Sequence, residues 1–203
     1  EGHGGGKAEY SAGGGGGAGH ANYGSHGGGI DTGGPGEGRH GTKGYYGYSI
    51  GQANLEVMYL GPGGGEGADG WVHGLPVGYR GGYGGAIVFL IARNITGTGS
   101  ITVNGGTGLG YDGKDQGYSG SGGGAGGSIL MKTVKATLDD LTVTASAGGA
   151  GSGSSSGSKG RPGGAGSVGR IHADYQDSIS GTTSPTLDSS QTNLSSGFFG
   201  GIM

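Results

Sequence analysis

Cysteine is absent, proline occurs only 5 times, and charged residues fill just 12% of the 203 positions. Without thiols there is no disulfide framework, no thiolate zinc site and no cysteine nucleophile; an oxidising exterior stays permitted. The formal net charge of −3 supplies neither a basic field for nucleic acid nor a polybasic patch for anionic lipid. No apolar run approaches the roughly 18 residues of a membrane span. Glu1-Gly2-His3 does not read as a signal peptide, and a first residue other than Met points to a processed chain or a fragment. Paired histidines at helical spacing are missing too: His3, His20, His26, His40, His73 and His172 are scattered and read as surface residues. No phosphate loop occurs. The one run shaped like a hydrolase elbow, Gly153-Ser154-Ser155-Ser156-Gly157, has no strand before it and no helix after it.

What is abundant is glycine, at 62 residues close to a third of the chain. Collagen shares that fraction but needs a strict Gly-X-Y frame and much proline, and Gly13 to Gly17 breaks any such frame. Disorder is excluded for the middle of the chain by the strongly β-forming run Ala-Ile-Val-Phe-Leu-Ile-Ala at 86 to 92. Hydrophobic residues make up 30%, too few for a large side-chain core. Glycine loses more backbone entropy on ordering than any other residue, so folding demands dense main-chain hydrogen bonding or burial against other copies.

A repeat of about 42 residues organises the chain. Gly84-Gly85-Ala86-Ile87-Val88-Phe89-Leu90 falls on Gly126-Gly127-Ser128-Ile129-Leu130-Met131-Lys132 and, more weakly, on Val168-Gly169-Arg170-Ile171-His172-Ala173-Asp174. Ser100-Ile101-Thr102-Val103-Asn104 likewise falls on Thr142-Val143-Thr144-Ala145-Ser146. Each unit reads as a glycine run, a strand, a turn (Asn94 to Gly99, or Ala136 to Asp140), a second strand and another glycine run. Units of this kind must stack to bury their apolar faces. The expected fold is therefore all-β: a glycine-rich β-solenoid or layered β-sheet with polyglycine II-like segments. A propeller, with about four strands per unit, fits less well. Three regions follow: a Gly/Tyr-rich segment over 1–60, the repeats over 61–177 with the third copy fading after Tyr175, and a Ser/Thr-rich tail over 178–203. Within the first, alternating Leu55, Val57 and Tyr59 favour a strand.

Site residues are few. Gly64 to Val72 fits the nonapeptide of calcium-binding β-rolls, with Asp69 as the ligand and an echo at Asp112; calcium in such rolls needs tandem copies, so the expectation is no cofactor unless these two aspartates bind it. Asp115, Asp139 and Asp140 read as turn residues. Asn94-Ile95-Thr96 and Asn193-Leu194-Ser195 are glycosylation sequons. Phe198, Phe199, Ile202 and Met203 form an apolar end that is costly in water and is expected to dock, on a neighbouring subunit. Tyr45, Tyr46, Tyr48, Tyr79 and Tyr83 show a Gly/Tyr alternation suited to stacking on sugars or on another subunit.

The alternation of glycine runs with Gly-Gly-Ala-Ile-Val-Phe and Gly-Gly-Ser-Ile-Leu-Met resembles glycine-rich repeat proteins of microbial surfaces over residues 60 to 175, and the polyglycine stretches are similar to the glycine-rich adhesin tips of phage tail fibres. Neither resemblance carries functional residues onto this chain. The expectation is a non-enzymatic, secreted or cell-surface structural protein whose partner is itself, assembling into a filament or matrix. The alternative is an adhesin that recognises a glycan or surface receptor. A third reading is a sugar-cleaving enzyme using Asp174 beside Arg170.

Overall fold

The computed structural model describes residues 14–28, 44–67, 79–110, 119–153 and 161–192. Among these the only regular elements are strands: β1 (Ile87–Ile95), β2 (Gly99–Thr102), β3 (Ser128–Thr137), β4 (Leu141–Thr144), β5 (Arg170–Ser180) and β6 (Asp188–Gln191). One sheet has the order β1-β3-β5-β6, the other pairs β2 with β4, and every pairing is parallel. Parallel neighbours need crossovers; between repeats these are the glycine-rich stretches, and between β5 and β6 the short segment 181–187.

The repeat sets the register, with a slip of one residue between β1 and β3 and a bulge between Thr133 and Lys135 in the β3–β5 pairing. Gly99 pairs with Leu141 and Ser128 with Arg170, each 42 positions on, but Ile87 pairs with Ser128 rather than with Ile129. A shift of one residue exchanges the faces of a strand. The slip places Val88 and Leu90 beside Ile129 and Met131, facing inward, and leaves Ile87, Phe89 and Ile91 on the outer face. Sequence alternation could not choose, because β1 is apolar on both faces. The core lies between the two sheets: Ile129, Met131, Ile171 and Ala173 from one, Val143 and the adjoining Val103 and Ala145 from the other.

Two strands run further than the turns read from sequence. β1 includes Asn94 and β3 extends to Thr137, which confines the turns to 96–98 and 138–140. The third copy does not fade after Tyr175. β5 continues to Ser180, Ser184 bridges to Thr144 beside the smaller sheet, and the chain then returns to the larger sheet as β6. The strand expected through Leu55, Val57 and Tyr59 is absent. Gly51 and Leu55 take positive φ of 73° and 51°, which turns the chain, and Leu55 is buried while Val57 is exposed.

The glycine-rich segments are extended and bonded to one another at a step of three. Every amide from Gly120 to Ser128 donates to a carbonyl of another segment. Gly120, Gly123 and Gly126 reach Arg161, Gly164 and Ser167; Ser121, Gly124 and Gly127 reach Leu109, Gly106 and Val103; Gly122 and Ala125 reach Gly65 and Pro62. The carbonyls of the same stretch accept from three further segments, at Gly15 and Ala18, at Gly148 and Gly151, and at Gly82 and Gly85. Residues 119–131 are buried throughout. Such contact admits only small side chains, as at Ser121 and Ala125, and none at the glycines: a Cβ on Gly124 would stand under 3.0 Å from the Tyr83 carbonyl.

Gly124→Ala should therefore cost about 3 kcal/mol or more, because backbone rather than a flexible side chain must give way. Gly149→Ala, whose Cβ meets only Thr107 at 3.5 Å, should stay within about 0.5 kcal/mol. Chemical denaturation of the two variants checks the contrast, and equal stabilities would refute close backbone packing at Gly124.

Candidate functional site

Three groupings of side chains stand on this framework. The first is an ion cluster on the outer face of the larger sheet. Parallel register puts Lys132 of β3 beside Asp174 of β5, and His172 beside Asp188 of β6. Lys132 Nζ lies 2.9 Å from Asp174 Oδ2. The buried His172 ring faces Asp188 Oδ2 at 2.8 Å through Nδ1 and Asp174 Oδ1 at 3.2 Å through Nε2. Burial raises the Asp174 carboxyl, but hydrogen bonds and charge from Lys132 and His172 outweigh it, so its pKa ends below 3.8. This cluster ties the short β6 to the sheet. Arg170, which sequence reasoning placed beside Asp174, points elsewhere: its Nη2 donates to the carbonyls of Ile50, Gly51 and Ala21 at 3.2 to 3.4 Å and clamps the ends of the glycine segments.

The clamp adjoins the buried His20. Its ring Nε2 lies 3.4 Å from Ser128 Oγ, and Nδ1 has no hydrogen-bond partner among the described residues. Burial, and next the nearby Arg170 charge, lower its pKa from 6.5 to about 4, against a smaller opposing effect of the Tyr59 backbone. His20 is therefore neutral in the fold.

The second grouping is apolar. β1 is an edge strand, and beyond its ladder with β3 no main-chain hydrogen bond reaches Ile87–Ile95 among the described residues. Its outer face presents Ile87, Phe89 and Ile91, with Phe89 half exposed. Beside Ile87 runs a groove of about 540 Å³ lined by Met58, Tyr59, Leu60, Gly61, Pro62 and Gly63, flanked by exposed Val57 and Leu60.

The third grouping is aromatic. Segments 14–20, 22–28 and 44–50 form a closed triad: Gly14 and Gly17 donate to Gly28 and Ser25, Gly27 and Gly24 to Gly44 and Gly47, and Gly44 and Gly47 back to Gly14 and Gly17. With one row of each segment used for each contact, the rows left over carry Tyr23 and His26, Tyr45 and Tyr48, and Tyr46. These rings meet edge to face, at 5.4 Å for Tyr23 and Tyr46, 4.4 Å for His26 and Tyr46, and 5.6 Å for Tyr46 and Tyr48. Sequence reasoning singled out the tyrosines of 45 to 48 but missed Tyr23 and His26. The signal is aromatic residues three apart between glycines, a spacing that gains its meaning from the period of the triad.

Of the other expected site residues, Asn94 is exposed near the end of β1 rather than in a turn. Asp69, Asp112, Asn193, Phe198, Phe199, Ile202 and Met203 lie outside the described residues. Among the described residues no group of three His, Asp or Glu side chains is placed to hold a metal ion, and no helix is long and apolar enough to cross a membrane. Tyr79 lies away from the aromatic triad; its carbonyl accepts from the Gly67 amide and the Ser121 hydroxyl. Among the described residues, fold and surfaces define parallel β-sheets with an apolar edge and an aromatic face. No family model, curated protein or solved structure matches the chain.

Because His20 is depressed in the fold, the unfolded chain binds more protons between pH 6.5 and about 4. Stability should then be full above 6.5 and fall by about 3 kcal/mol on acidification to 4, at 1.36 kcal/mol per pH unit. Asp174 acts lower: its contribution is present above 3.8 and is lost as pH falls through its depressed folded value. In urea titrations across pH 7 to 4, His20→Gln should flatten the slope; an unchanged slope would assign it to other groups.

Proposed function

We propose that this chain is a non-enzymatic, secreted or cell-surface structural protein that assembles with itself, without a cofactor. In this reading its repeats are successive coils of a β-solenoid, each adding strands to the two sheets, and its glycine segments are polyglycine II helices. The period of three in the hydrogen bonds supports the second assignment, since that helix has three residues per turn and no internal bonds. Pairing offsets of 41 to 43 residues, close to the repeat, support the first.

The observation that carries self-assembly is β1. A nine-residue edge strand with unpaired outward amides among the described residues and Ile87, Phe89 and Ile91 on its face has no lysine, proline or bulge to protect it and a single charge, Arg93, near its end. A second copy that pairs with it satisfies those amides and covers the apolar face and the adjoining groove in one step. The alternative reading, an adhesin, is favoured by the aromatic triad.

Sedimentation velocity over a range of concentrations tests the assembly reading. The parent chain should associate in calcium and in EDTA alike. Phe89→Lys/Ile91→Lys, which places two charges on the edge without touching the core, should shift association to at least tenfold higher concentration, about 1.4 kcal/mol. A parent chain that stays monomeric, or a double variant that associates equally well, rejects the proposal.

A further inference from the structure

The aromatic face has a different chemistry from the β1 edge. Tyr23, Tyr45 and Tyr48 are each more than half exposed, yet each ring is held by a neighbour: Tyr23 by Tyr46 and Tyr48, and Tyr45 by His26. Beneath the rings the backbone is fixed at every third residue by the triad bonds, so little conformational entropy is left to lose on binding. Asn22, Ser25 and Ser49 are exposed on the same two segments and add short hydroxyl and amide groups among the rings.

Charge narrows the ligand. Segments 22–28 and 44–50 contain no Asp, Glu, Lys or Arg. Single-stranded nucleic acid also stacks on aromatic rings, but it needs cations for its phosphates, and a sulfated or phosphorylated glycan needs the same. A second copy of this chain is better served by the apolar β1 edge, because burying tyrosine hydroxyls requires partners for each. What remains is a neutral ligand with flat apolar faces and many hydroxyl groups. Its shape is narrowed by the period: at about 3.1 Å per residue, rings three positions apart recur about every 9 Å along a segment. That favours an extended ligand that repeats.

We infer that the face formed by Tyr23, His26, Tyr45, Tyr46 and Tyr48 is a binding site for a neutral polysaccharide chain. Tyr45 and Tyr48 stack on alternate sugar rings, while the phenol, imidazole and Ser/Asn groups exchange hydrogen bonds with sugar hydroxyls. The site is independent of the β1 edge.

Affinity electrophoresis of the full chain tests it, in native gels containing hydroxyethyl cellulose, galactomannan or xyloglucan, with heparin as the polyanion. At least one neutral polysaccharide should retard the chain, and Tyr45→Ala/Tyr48→Ala should weaken that retardation about tenfold or more. Phe89→Lys/Ile91→Lys should leave it intact. A circular dichroism melt of the alanine variant controls for folding. As a readout that needs no variant, the retaining polysaccharide should protect Tyr45 and Tyr48 of the parent chain from nitration. No retardation by any neutral polysaccharide overturns the site, as do retardation by heparin alone and unprotected tyrosines. An alanine variant that loses self-association while keeping its retardation would instead make the face a contact between copies, and overturns the site equally.

Discussion

Each amide between Gly120 and Ser128 finds its carbonyl on another segment because an extended chain with three residues per turn makes no hydrogen bond of its own. This one requirement accounts for most of the composition. Ordering glycine costs about 0.5 to 1 kcal/mol per residue more than ordering alanine, and a main-chain hydrogen bond returns a net of about 1 kcal/mol. The exchange is favourable only where nearly every amide is paired, which requires neighbours on all sides and backbones closer than any Cβ allows. Stretch 119–128 meets both conditions with six surrounding segments. Within the packed segments buried side chains are small, as at Ala18, Ser121 and Ala125, and the rings of Tyr23, Tyr45 and Tyr48 stand on rows that face outward.

The same packing sets up the sheets. Gly126 and Gly127 bond to Ser167 and Val103 immediately before β3 begins, and Gly169 bonds to Ala145 immediately before β5. Strands therefore leave the glycine region already aligned, and the small apolar core need only hold a register delivered to it. His20 and Arg170 sit at this junction, one with its backbone amide bonded to Ser167 Oγ and the other clamping three carbonyls. Burial there keeps the imidazole neutral, which makes the junction the acid-sensitive point of the fold.

How much of this was legible in the sequence differs by element, for physical reasons. The 42-residue repeat gave the strands, their parallel stacking and the pairing of Ser100 to Thr102 with Thr142 to Thr144, because glycine runs bracket short β-branched stretches. The slip at Ile87 was not legible, since a strand apolar on both faces has no alternation to read. Residues 45 to 60 misled for the opposite reason: Leu55, Val57 and Tyr59 alternate, yet the positive φ values at Gly51 and Leu55 are turn decisions that alternation does not encode. Ser184 and β6 lacked apolar residues and so looked like tail, although they are paired through main-chain bonds and the Asp188 contact with His172. Tyr23 and His26 were not legible because a spacing of three matches neither the helical nor the strand period, and only the triad of segments gives it meaning.

The two edges of the larger sheet constrain what an assembly can look like. Parallel register lays rows across its outer face, from Phe89 through Leu130 and His172 to Asp188, and from Ile91 through Lys132 and Asp174 to Ser190. The face is apolar at β1 and ionic at β6, whose four residues Asp-Ser-Ser-Gln make a short polar edge. Head-to-tail stacking would set Phe89 against Asp188 and bury a carboxylate beside an apolar face, at a cost of several kcal/mol. Pairing β1 with its own copy sets apolar on apolar, and a contact of that kind closes on a twofold axis rather than growing into a filament. If the aromatic face binds polysaccharide, such a pair carries two sites and joins two chains, gaining avidity without further contacts between copies. A matrix would then need only this pairing together with the polysaccharide, which supplies the length.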